Sequence, residues 1–180
     1  MVSDGFEVSQ LRQPRNLLNH AGAATFVVAS GHGSVTGIVG SQKKIQVPVD
    51  IRLKSAAAQD FHGLVLPGGK ESSKRLSRSA DALRFVTDFM RAGKPVAAIG
   101  EALGLLFRTG MLRGRILSPT WFGEAHSKMR TNYREQELVV TAGRCNDVGA
   151  FCREMVHVLA RLREHLSAAA GMGAPSLLHS

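Results

Sequence analysis

Apolar residues recur along the chain with two periods, one strand-like and one helical, and the two alternate from end to end. Val8, Leu11, Leu17 and Leu18 form a helical face after the turn-forming Asp4-Gly5-Phe6-Glu7 stretch. Pro14 interrupts that face, and Gly22 supplies a stop. Ala24-Thr25-Phe26-Val27-Val28-Ala29 predicts a buried strand, and the Gly- and Ser-rich residues 30–40 a hairpin or loop. Ile45, Val47, Val49 and Ile51 alternate with polar residues or Pro, as in a half-exposed strand. Residues 61–66 predict a strand that runs into the tight turn Pro67-Gly68-Gly69. Leu76, Ala80, Leu83, Val86, Phe89 and Met90 then recur at three and four residues, which predicts one amphipathic helix closed by Gly93.

Val96-Ala97-Ala98-Ile99 is a short apolar run after Gly93-Lys94-Pro95, the pattern of a central parallel strand. From Glu101 the spacing becomes helical, with Leu103, Leu106 and Phe107 on one side. An abrupt strand-to-helix turn is where many α/β hydrolytic folds raise a nucleophile above the sheet, beside a helix N-terminus. The residue at this turn is Gly100, which has no side chain. Beyond it, residues 110–115 predict a turn, Ile116 and Leu117 a short strand, and residues 118–136 irregular structure around a short helix near 124–130. Residues 138–142 predict a strand. A last helix is expected over about 147–166, with Phe151, Met155, Val158, Leu159, Leu162 and Leu166 on its buried face.

This alternation implies an α/β fold with a mostly parallel sheet covered on both faces. One domain is expected over residues 1–166, with a flexible C-terminal tail over 167–180. Ligands of such sheets bind beyond the carboxyl ends of the strands. Three stretches have that placement: Asp4 to Glu7, Pro67 to Gly69, and Gly100 to Glu101. Their convergence is the site expectation.

Composition narrows the function classes. With 180 residues, 44% hydrophobic and 21% charged, the chain has the make-up of a globular domain. No apolar run approaches the roughly 18 residues of a membrane span, and the first residues do not read as a signal peptide. Cys145 and Cys152 make no disulfide framework, and no Cys/His spacing resembles a zinc site. The expectation is therefore no cofactor, no metal, no membrane and a cytoplasmic location. The net charge of +9 raises the question of an anionic partner. The basic residues are scattered over many segments, and one Trp and one Tyr give no platform for stacking bases. Nucleic acid is thus the weakest partner class.

The stretches Asp4-Gly5-Phe6-Glu7, Gly63 to Gly69, Gly93 to Ile99, Leu112-Arg113-Gly114-Arg115 and Ala150 to Glu154, in this order and spacing, resemble the PfpI family of intracellular cysteine peptidase-like proteins. Its wider superfamily includes the parkinsonism-associated deglycase and class I glutamine amidotransferases. The resemblance covers residues 3 to about 165. It implies a flavodoxin-like three-layer α/β sandwich, usually a homodimer or a higher homo-oligomer. Family activities are peptidase, glyoxalase without glutathione, deglycase and stress protection, so a small carbonyl or peptide ligand is implied.

The family site has a Cys at the elbow, a His directly after it and an N-terminal Glu that hydrogen-bonds the thiol. Carried onto this chain, Glu7 matches the glutamate, while Gly100 stands at the Cys position and Glu101 at the His position. Gly68 and Gly69 match the turn whose backbone amides face the site, where they can hold an oxyanion. The resemblance also implies a full apolar strand before Asp4, where this chain has only Met1-Val2-Ser3. The first strand is thus expected to be truncated, either by a gene start placed too far downstream or as a damaged sheet. Ala142-Gly143-Arg144 replaces the family's Thr-Ser-Arg.

Thiolate chemistry needs a sulfur, and Gly100 offers none. Cys152 reads as a packing residue of the last helix, and Cys145 matches no catalytic position. His126 is the first histidine to examine as a base, with nothing to favour the others. The leading expectation is a catalytically degenerate family member acting in binding, stress protection or structure. The alternative is an active hydrolase or glyoxalase-like lyase using Glu7 and Glu101 as an acid/base pair. A basic accessory protein for nucleic acid stands third.

Overall fold

The computed structural model of the chain describes residues 1–40, 43–111, 139–142 and 155–156. The elements expected over 110–136 beyond Met111, most of the last helix, the tail, Cys145, Cys152 and His126 lie outside the described residues. Met155 and its neighbour Val156 are helical, within the span where the last helix is expected.

In chain order the strands are β1 (Phe6–Glu7), β2 (Val28–Ala29), β3 (Ser34–Val39), β4 (Lys43–Pro48), β5 (Ile51–Arg52), β6 (Leu64–Leu66), β7 (Val96–Ile99) and β8 (Val139–Ala142). The helices are α1 (Val8–His20), α2 (Lys70–Arg78), α3 (Ala80–Arg91) and α4 (Leu103–Arg108). β6, β7 and β8 form a parallel sheet with β7 in the centre, in the register Leu66↔Ala98 and Ala98↔Thr141. β2 pairs with β5 in parallel.

Met1 and Val2 join these two units. The amine of Met1 donates to the Val65 carbonyl at 2.7 Å, and the Val2 N–H donates to the Val28 carbonyl at 2.9 Å. Two residues thus stand in the slot between β2 and β6, where the resemblance implies a full strand. β1 pairs in parallel with β3, and β3 pairs antiparallel with β4 as a hairpin.

Both faces of the sheet are covered. Side chains alternate across a strand, and successive residues here fall into different cores. Met1 and Val28 pack with Leu66, Leu76, Phe85, Phe89, Leu105 and Leu106. Val2, Val27 and Ala29 pack with Phe6, Val8, Val35 and Val47. The first core lies under α2, α3 and α4, the second under the start of α1 and the hairpin. This is the α/β sandwich with a mostly parallel sheet that the alternation of periods predicts.

Three local expectations are corrected, and the hairpin expected at the Gly- and Ser-rich residues is present. The strand expected over 24–29 is ordered as a ladder only at Val28 and Ala29. Val27 instead gives its N–H to the Asp50 carboxylate at 2.7 Å, and its carbonyl accepts from the N–H groups of Asp50 and Ile51. Residues 34–39 form a full strand, because the Gly- and Ser-rich region folds back as half of the β3–β4 hairpin. The strand expected over 45–51 is two strands, split after Pro48, which has no N–H to continue a ladder.

The single helix expected over 76–90 is α2 and α3, broken at Ser79. Ser79 is extended (ψ 115°), and its Oγ accepts from the Ala82 N–H at 3.2 Å, capping α3. The apolar period runs on through the break because Leu76 and Phe85, Val86, Phe89 and Met90 all bury into the same core.

Candidate functional site

The site is built where β6 and β7 end side by side. β7 is buried at all four positions, and the chain leaves it at Gly100 with φ +55°. A single 3-10 turn over Gly100–Ala102 leads directly into α4. A backbone at this φ clashes with the Cβ of an L residue, which glycine lacks. The strand–turn–helix read from the sequence is therefore present, with its sharpest residue at Gly100.

Beside it, β6 runs into Pro67-Gly68-Gly69, and Gly69 (φ +113°) starts α2. Asp4 to Glu7 closes on this turn from the other side. The Glu7 N–H donates to the Gly68 carbonyl at 3.0 Å. Gly69 packs so tightly on Gly5, Phe6 and Glu7 that a Cβ there would stand 2.8 Å from the Phe6 Cα. On its own side, Asp4 is pinned to β3, accepting from the Thr36 N–H at 2.8 Å. The three stretches singled out in the sequence do meet, with Gly68-Gly69 in the middle.

The side chains take separate partners. The half-buried Glu7 carboxylate accepts from Ser9 Oγ at 3.2 Å. The Glu101 Oε2 accepts from the Gly69 N–H at 3.2 Å, and its side chain is exposed. Glu101 thus reaches across from the β7 elbow to the β6 turn. Glu7 and Glu101 lie against the same glycine pair, each carboxylate with its own donor.

Sequence reasoning missed Gln10. It is 3% exposed, and its Oε1 accepts from the Gly68 N–H at 2.7 Å. Gln10 lies one helical turn after Glu7, on the side of α1 that faces the turn. A polar residue three positions after a candidate site residue, inside an apolar helical face, is the available signal. Its consequence is chemical: of the two amides expected to face the site, that of Gly68 already donates to a buried side chain.

Among the described residues, no group of three or more His, Cys, Asp or Glu side chains is placed to hold a metal. None of the described helices is long and apolar enough to cross a membrane. His20, His32 and His62 are exposed.

Comparison with known proteins adds the following. The DJ-1/PfpI family model matches residues 1–158. An uncharacterized protein of Archaeoglobus fulgidus is 31% identical over 168 residues, which cover 89% of this chain and 96% of that protein. The protein/nucleic acid deglycase 2 of Escherichia coli is 27% identical over 168 residues, covering 88% of this chain and 95% of the relative. Among solved structures, oxidized DJ-1 of Toxoplasma gondii superposes with a TM-score of 0.72 at 20% identity, over 95% of this chain and 94% of that one.

Proposed function

Because the chain belongs to the DJ-1/PfpI family, we propose that it is a member that keeps the fold and the turns of the family site without cysteine-dependent catalysis. The observation that carries this reading is Gly100: the elbow is formed, and the residue on it has no side chain. A thiolate nucleophile cannot be supplied from that position. Glycine holds the φ of +55° without a Cβ clash, so losing the reacting group leaves the turn intact. Glu101, at the position of the family imidazole, spends its carboxylate on the Gly69 amide.

In this reading the protein acts by binding a small carbonyl compound or a peptide, in a stress-related or structural role. It works as a homodimer or a higher homo-oligomer in the cytoplasm.

The test is turnover of methylglyoxal and of peptide substrates by three proteins: the chain itself, Gly100→Cys, and Gly100→Cys combined with Glu101→His. No turnover is expected from the first, and a gain is expected in the double variant. Turnover by the unmodified chain that Glu7→Ala abolishes overturns the proposal and establishes instead a cysteine-free lyase or hydrolase on Glu7 and Glu101. Light scattering in solution reads the oligomeric state.

A further inference from the structure

We propose that the slot ahead of Met1, between β2 and β6, is a strand-addition site for the free C-terminal end of an extended apolar peptide, whose carboxylate is held by the Met1 amine and the Val28 N–H. The slot lies at the amino ends of these strands, away from Gly68 and Gly100, so the inference stands apart from the reading of that site.

The open groups follow from the ladder. The N–H and C=O of one strand residue point to the same side, and its neighbours point to the other. On β2 the Val27 carbonyl faces β5, accepting from the Ile51 N–H at 3.1 Å, whereas the Val28 carbonyl accepts from Val2. Val28 therefore turns its N–H into the slot. On β6 the Leu64 N–H faces away, donating to the Pro95 carbonyl at 2.9 Å, whereas the Val65 carbonyl accepts from the Met1 amine. Val65 likewise turns its N–H into the slot. Among the described residues neither N–H has a partner. Val28 is buried, and a buried donor without an acceptor is costly. The Met1 amine is buried as well, and beyond the hydrogen it gives Val65 it has another to donate.

The register names the ligand. A parallel strand ahead of Met1 places the carbonyl end of its last residue opposite the Val28 N–H and against the Met1 amine. In a separate peptide that end is a carboxylate, two oxygens facing two donors, which is what a charge needs to enter such a place. The residue before it accepts from the Val65 N–H and donates to the Gly63 carbonyl, two residues upstream on the same flank. Strand addition and capture of a carboxylate end are thus combined. The last two side chains of the ligand are apolar because the two sides of the slot open into the two cores, that of Met1 and Val28 and that of Val2 and Val27. Phe26 adds apolar surface at the mouth. It is 52% exposed and stands edge-on to Phe61, with ring centroids 6.2 Å apart.

The test titrates the full chain, with its Met1 amine free, with acetyl-Thr-Thr-Val-Val at pH 7 and follows the amide resonances by NMR. The same peptide ending in a carboxamide is the control, equal in shape and without the charge. The carboxylate peptide should shift the Val28 and Val65 amides. It should bind about tenfold or more tightly than the carboxamide, since charge-assisted hydrogen bonds are roughly twice as strong as neutral ones. A chain extended by Thr-Thr-Val-Val ahead of Met1 fills the slot from its own end. It should bind neither peptide while keeping the dispersed spectrum of the folded protein. Equal affinity for the two peptides overturns capture of the carboxylate. No shift at Val28 and Val65, or binding retained by the extended chain, overturns the slot as the site. If those two amides are already protected from exchange before peptide is added, increasingly so with protein concentration, a second copy fills the slot and the peptide is overturned as its occupant.

Discussion

Gly69 lies directly against Gly5: a Cβ added at Gly69 would overlap the Gly5 carbonyl oxygen and come within 2.8 Å of the Phe6 Cα. This backbone-on-backbone contact joins the N-terminal stretch to the Pro67-Gly68-Gly69 turn and holds Glu7 beside it. Gly69 also sits at φ +113°, which a side chain disfavours on its own. Gly69→Ala should therefore cost about 3 kcal/mol or more, adding strain at the turn to overpacking against backbone that cannot rotate away. Urea denaturation measures it. A loss under about 1 kcal/mol would mean that the two stretches separate easily.

Lys94 should matter more than its place beside a strand end indicates. Its ammonium donates to the carbonyls of Ala58, Gln59 and Phe61 at 2.9, 3.1 and 2.7 Å, closing the 3-10 turn at Ala58–Asp60 onto the start of β7. Lys94→Met keeps most of the apolar stem and removes all three bonds. A loss of about 1.5–3 kcal/mol is expected, the range for hydrogen bonds made by a charged group. Faster hydrogen exchange at residues 58–61 than elsewhere would show that the loss is local.

The elbow and the Pro67-Gly68-Gly69 turn were legible because each depends on local pattern: an apolar run, a Gly or Pro stop, then a new period. The convergence of Asp4–Glu7 on them was legible through the rule that parallel sheets bind at their carboxyl ends. What the pattern hid was decided by partners far along the chain. Val27 leaves the expected strand because Asp50 captures its N–H. The break at Ser79 does not disturb the apolar spacing, since both helices bury into one core. Gln10 reads as an ordinary polar position on α1, and its role appears only once Gly68 is placed against it, 58 residues later.

A protein carrying a free amine at Met1 should lose stability as the pH falls from 8 toward 5. Burial of that amine lowers its pKa from 8.0 to about 5, because the charged form is excluded from the core. Above pH 8 the amine is neutral in both states, and its contribution is fully favourable. Between 8 and 5 the unfolded chain takes up a proton that the folded chain refuses, so stability drops with falling pH and levels off below 5. The full difference is about 4 kcal/mol. Unfolding free energies at several pH values measure the slope. Extending the chain ahead of Met1 turns the amine into an amide N–H, and this part of the slope should disappear.

Gly100→Ala should cost about 1–2 kcal/mol, the penalty of the left-handed region for a residue with a Cβ. The residue holds φ +55° at the end of a strand buried at every position, so the backbone has little freedom to relax toward negative φ. Gly100→Cys should cost a similar amount, because the strain lies in the backbone and not in the sulfur. Chemical denaturation of both variants beside wild type checks this. If both are neutral, the turn tolerates a side chain, and relief of strain explains nothing about why glycine stands there. If both are destabilised alike, any activity gained by adding the thiol is gained against the fold.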